Sequence, residues 1–100
     1  MTLQARMKHV AGDDRGNVTL YALSTCGWCR KTKELLDELQ VAYDYVYVDL
    51  LAGPDKEEAL QKIEIWNPAA SFPTLVINDD HSIVGFKEEQ IGEALGSGTR

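Results

Sequence analysis

No run in this 100-residue sequence approaches the roughly 20 consecutive apolar residues that a membrane-spanning helix requires. Positive charge is scarce as well: ten Lys and Arg stand against sixteen Asp and Glu, for a net charge of −6. That balance argues against general nucleic-acid binding and against docking on an anionic membrane, both of which rest on attraction to phosphate. Two cysteines are too few for a small secreted domain held together by disulfides. A zinc site takes about four ligands. Here only His9 and His81 accompany the cysteines, and neither has zinc-finger spacing, so no metal site is expected. Residues 1–16 carry Arg6, Lys8, Asp13, Asp14 and Arg15 without an apolar run, which is not the pattern of a secretory leader. The expected location is therefore cytoplasmic, where a cysteine pair serves chemistry or metal binding more often than permanent cross-linking.

The length suits one domain, and there are no internal repeats or low-complexity stretches. Residues 1–16 read as a mobile arm with some helical tendency, 17–95 as the folded unit and 96–100 as a polar tail. Asn17 to Leu23 reads as a buried strand. Cys29 to Leu39 reads as an amphipathic helix with Leu35, Leu36 and Leu39 on one side. Tyr43 to Leu50, rich in Tyr and Val, suits a second strand. Its Tyr43, Tyr45 and Tyr47 fall on one face, and Val46 and Val48 fall on the other. Gly53-Pro54-Asp55 starts a helix that runs to about Glu64, since proline fits a first turn and an acid complements the helix dipole. Asn67-Pro68 breaks the pattern. Thr74 to Ile77 and His81 to Val84 form a hairpin across Asn78-Asp79-Asp80, and Lys87 to Leu95 is a last helix. The order β-α-β-α-β-β-α predicts an α/β domain with a four-stranded mixed sheet, parallel at its start and closed by an antiparallel edge.

Both cysteines lie in Cys26-Gly27-Trp28-Cys29, where the first strand gives way to the first helix. The thiolate is the attacking form of cysteine, and a helix N-terminus stabilises negative charge on sulfur. Cys26, ahead of the helix, is the expected nucleophile. Cys29, one turn further in, is the expected resolving thiol, because positions i and i+3 share a helix face. Gly27 leaves the approach to Cys26 open, and Trp28 offers an apolar platform. Lys33 is a candidate proton acceptor for Cys29. A structural disulfide, an iron–sulfur cluster shared between two subunits and a non-catalytic binding role remain as alternatives for the pair.

Strand, T-C-x-x-C, helix and then Ser71-Phe72-Pro73-Thr74 before a hairpin resembles the glutaredoxin family of the thioredoxin fold, over residues 17–95. The resemblance implies a three-layer α/β/α architecture and thiol–disulfide oxidoreductase activity. It implies that Pro73 follows a cis peptide bond and faces the dithiol, with Thr25, Gly27, Trp28, Phe72, Pro73, Gly85 and Phe86 around the bound thiol or substrate. It further implies protein or small-molecule disulfides as substrates and no tightly bound cofactor. The electron donor would be glutathione, another low-molecular-weight thiol or thioredoxin reductase, and the default assembly is a monomer. Many glutathione-using members carry a lysine three positions before the first cysteine, where this sequence has Leu23. The ending Val84-Gly85-Phe86-Lys87-Glu88 is instead similar to the redoxins that supply electrons to ribonucleotide reductase.

Overall fold

In a computed structural model that describes residues 3–95, the apolar residues of the strands alternate between two cores. The elements are α1 (Leu3–Arg6), β1 (Lys8–Val10), β2 (Val18–Ala22), α2 (Gly27–Leu39), β3 (Tyr43–Tyr47), α3 (Gly53–Trp66), β4 (Thr74–Ile77), β5 (His81–Val84) and α4 (Glu88–Leu95). The sheet runs β1-β3-β2-β4-β5. Strands β2 and β3 are parallel, and the other neighbours are antiparallel. Val18, Leu20 and Ala22 of β2 face one core, together with Leu75 and Ile77 of β4 and Tyr43 of β3. Leu36 of α2 and Ile91 and Leu95 of α4 close that core. Tyr21, Val46 and Val76 face the other core, which Ala59 and Ile63 of α3 close. Side chains point to alternate faces of a strand, so one sheet serves both layers, and the α/β/α sandwich follows. Among the described residues, no helix is long and apolar enough to cross a membrane.

The structure departs from the sequence-based expectation in three respects. Strand β3 ends at Tyr47, and Val48–Leu50 form a 3-10 turn instead of further strand. Asp49 is drawn there to the loop after β2, where it accepts the Ser24 N–H at 2.8 Å. Helix α3 continues two residues past Glu64, and α4 begins at Glu88. The third departure is larger. Residues 3–10, expected to be a mobile arm, are part of the fold, and the sheet has five strands, not four. Leu3 is only 1% exposed and packs in the α3-side core. Arg6 Nε donates to Asp55 Oδ2 of α3 at 3.0 Å. Strand β1 pairs with β3 from Lys8 opposite Tyr45 to Val10 opposite Tyr43. Further on, Asp13 N donates to Gln40 O at 2.7 Å, and Ala42 N donates to Asp13 O at 2.8 Å. A four-residue helix and a three-residue strand are too short to show a period in sequence. They form because β3 would otherwise leave an unpaired edge and α3 an uncovered apolar flank. Residues 1–2 of the expected arm and the expected tail at 96–100 lie outside the described residues.

The N-terminal segment gives a direct test. Leu3→Ala is expected to lower unfolding free energy by about 2 kcal/mol, the low end for a buried leucine, because a terminal helix can partly settle into the gap. Urea denaturation measures this. An unchanged midpoint would show that burial of the Leu3 side chain contributes nothing to stability.

Candidate active site

Helix α2 starts where it does because Cys26 caps it. The Cys26 backbone is extended (φ −92°, ψ 119°), and its Sγ accepts the Cys29 N–H at 3.2 Å. The sulfur thus takes the place usually held by a Ser or Asp oxygen, among N–H groups that a helix start leaves without intrahelical partners. Cys26 N donates to Leu23 O at 3.2 Å, and Arg30 N donates to Cys26 O at 3.1 Å, so the residue is held on both sides. Cys26 is half-buried and Cys29 is buried, with both thiols free. Cys29 is 2% exposed and packs in the α2/α4-side core. Burial pushes its thiol from 9.0 up to about 12, with the hydrogen bond to Cys26 and the Asp49 charge acting in the same direction. One sulfur of the pair is therefore presented and the other is kept protonated beneath it.

Thr25 sits on the exposed turn just before Cys26. Gly27 is exposed, and a β-carbon built on it would meet nothing within 4 Å. Trp28 lies in the first turn of α2 and stacks on Phe86, with ring centroids 5.8 Å apart. The Phe72–Pro73 peptide bond is cis. Trp28, Phe72, Pro73, Gly85 and Phe86 together line a cleft of about 270 Å³. Gly85 has φ +87°, a conformation that side chains resist, and its N–H donates to Pro73 O at 2.9 Å. The turn itself therefore calls for glycine at that position. Lys33, the candidate proton acceptor, is engaged elsewhere. Its Nζ lies 3.6 Å from Asp37 Oδ2 and 4.9 Å from the centre of the Tyr45 ring. Among the described residues, no group of three or more His, Cys, Asp or Glu side chains is placed to hold a metal ion.

Sequence reasoning did not single out two supports of the site. Asn67 Nδ2 reaches Ser71 O and Ser71 Oγ at 3.0 Å and Thr74 Oγ1 at 3.2 Å. Thr74 Oγ1 in turn donates to Ser71 O at 2.8 Å. This partly buried network holds the loop that carries Phe72 and Pro73. Asn67 was legible only as a helix breaker before proline. The second support is Asp49, which takes both the N–H and the hydroxyl of Ser24 two residues before Cys26. Those hydrogen bonds lower its pKa. Its position inside a strand-like run concealed it. A polar cavity of about 380 Å³ beside Tyr21, Asp44, Glu58 and Asp79 lies on the α3 side of the sheet and includes neither cysteine.

A family model described as glutaredoxin matches residues 18–82. Among curated proteins, the chain is 38% identical to glutaredoxin 1 of Rickettsia conorii over 45 residues, 45% of this chain and 44% of that protein. The chain thus spans less than half the length of that relative. Among solved structures, it is similar to the glutaredoxin from Methanosarcina mazei Go1, with 56% identity and a TM-score of 0.86 over 92% of this chain and 89% of that one. It is also similar to the methanoredoxin of Methanosarcina acetivorans, with 53% identity and a TM-score of 0.83 over 86% and 90% of the two chains.

The geometry makes two predictions. Brief alkylation of the reduced protein near neutral pH should label Cys26 and spare Cys29. Tandem mass spectrometry of the tryptic fragment 16–30, which carries both cysteines, locates the label on protein labelled in its native state, and equal labelling would contradict the burial of Cys29. Stability should also fall in alkali. Above about pH 9 the unfolded chain loses the Cys29 proton that the folded chain keeps until about 12. This contribution is complete below pH 9 and disappears as pH climbs toward 12. Burial raises Tyr21 to about 12, and burial with the Asp37 hydrogen bond raises Tyr43 as well, which steepens the upper part of the decline. Urea unfolding of Cys29→Ala at several pH values should lack the part of the decline that begins near pH 9.

Proposed function

The chain belongs to the glutaredoxin family, and from that premise we propose that it is a dithiol oxidoreductase reducing disulfides through Cys26 and Cys29. The observation that carries this reading is the asymmetry of the pair: Cys26 Sγ sits at the N-cap of α2, and the buried Cys29 thiol lies one turn behind it. The Cys26 thiolate attacks one sulfur of the substrate disulfide, forming a Cys26–substrate disulfide and releasing the other substrate sulfur as a thiolate. Cys29 then gives its proton to the released thiolate and attacks Cys26 Sγ. The substrate's second sulfur leaves as a thiolate, and Cys26 and Cys29 remain joined. Two electrons have passed to the substrate. An external thiol or a flavoprotein reductase of the thioredoxin reductase class returns them.

Thr25, Gly27, Trp28, Phe72, Pro73, Gly85 and Phe86 form the proposed binding surface around the attacking sulfur. Leu23 bears on the donor. It is partly buried and packs in the α3-side core, so it presents no cation to a carboxylate of glutathione. This supports protein disulfides as substrates, with thioredoxin reductase or a thiol other than glutathione as reductant. Such chemistry suits a reducing compartment such as the cytoplasm.

Cys26→Ser should reduce turnover of a disulfide substrate to background. Cys29→Ser should complete the first step and accumulate the mixed disulfide, visible as the added substrate mass on the intact protein. Full activity in Cys26→Ser would refute the assignment of the nucleophile. Turnover with glutathione and its reductase, compared with thioredoxin reductase, should favour the latter.

A further inference from the structure

We propose that the stacked Trp28–Phe86 pair is the specificity element of this site, selecting polypeptide disulfides in which a large apolar side chain stands next to the attacked cysteine. This rests on the oxidoreductase reading above and concerns only which disulfides that chemistry takes.

Trp28 is 59% exposed, whereas most large apolar side chains here are covered. Its ring is held over the cleft by Phe86, which comes from the loop between β5 and α4 and is remote in sequence. A stack between two elements fixes both rings and leaves their open edges in water. Covering that surface is the gain an incoming apolar group would realise, at about 25 cal/mol per Å². Aromatic partners add a geometric preference to it.

Size and charge narrow the occupant. Ligand pockets for small molecules commonly run from about 300 to 1,000 Å³. At about 270 Å³ this cleft has room for one side chain and not for an enclosed tripeptide. Trp28, Phe72, Pro73, Gly85 and Phe86 bring no charged side chain into it, so a carboxylate entering it would lose its water without gaining a charged partner. A cation stands beside it, Lys87, whose Cε comes within 3.8 Å of where a β-carbon on Gly85 would stand. Lys87 is exposed, so its charge is screened and remains at the rim. Location ties the cleft to the chemistry. Trp28 is two residues from Cys26 on the same helix start, and Cys26 and Phe72 both pack against the α2/α4-side core. A side chain adjacent to the attacked cysteine is therefore the part of a substrate within reach of the cleft when its sulfur meets Cys26.

The test uses three peptides, identical except for the residue after their one cysteine: Phe, Ala or Asp. Each is supplied as its mixed disulfide with 2-mercaptoethanol, and release of the peptide thiol by the reduced protein is followed by chromatography. The expected order is Phe above Ala above Asp, with kcat/KM for Phe about tenfold that for Ala. Trp28→Ala and Phe86→Ala should each bring the Phe-to-Ala ratio to about twofold or less, and Trp28→Phe should keep most of it. Equal rates for the Phe and Ala peptides in the parent protein, or an unchanged ratio in both alanine variants, would overturn the inference and leave the oxidoreductase reading intact. Failure of the parent protein to reduce any of the peptides or bis(2-hydroxyethyl) disulfide would overturn both.

Discussion

One hydrogen bond organises this molecule's chemistry: the Cys29 N–H donates to the Cys26 sulfur at the first turn of α2. A helix start needs an acceptor for its leading N–H groups, and here the acceptor is the sulfur proposed as the nucleophile. The same contact sets the distance between the cysteines and the difference between them. Cys26 stays in extended backbone at the surface of the turn, and Cys29 enters the helix and the core. Local backbone requirements and redox geometry are met by one arrangement.

That arrangement is only as steady as α2, and α2 is held by its buried face and by β3. Thr32 is buried and returns its hydroxyl to Trp28 O at 2.9 Å, which tightens the turn behind the dithiol. Leu36 enters the core, and Tyr43 of β3 donates its hydroxyl to Asp37 at 2.8 Å. The parallel pairing of β2 and β3 places their C-terminal ends side by side, which brings Asp49 to Ser24. The antiparallel pairing of β2 with β4 places the start of β4, and therefore Pro73, at that same end. The sheet order thus assembles the site from segments far apart in sequence, and the Asn67–Ser71–Thr74 network and the Gly85–Pro73 hydrogen bond keep them there.

Much of this was legible because strong periodic signals and the final packing agree. The alternation of Tyr43, Tyr45 and Tyr47 against Val46 and Val48 separates in the structure into the two cores. The hairpin at 74–84 and the helix start at Pro54 lie where their turn and cap residues put them. The signal was weak where an element is short or where a polar residue serves a distant one. Nothing about Lys8-His9-Val10 resembles a strand until the free edge of β3 is present. Nothing about Asp49 within a Val-rich run announces a partner at Ser24. Lys33 illustrates the converse: an amine near the cysteines in sequence, directed toward Asp37 and Tyr45 in space.

Sequence alone determined the α/β order and the place of both cysteines at a strand-to-helix junction. These depend on local rules: side-chain period, turn chemistry and the preferences of helix ends. Tertiary structure decided the fifth strand, the support of the Phe72–Pro73 loop, the contact of Asp49 with Ser24 and the meeting of Trp28 with Phe86. Each joins residues separated by other elements, so it exists only after the sheet has set its strand order. No local pattern encodes which distant group will satisfy a buried amide, an open sheet edge or an exposed ring.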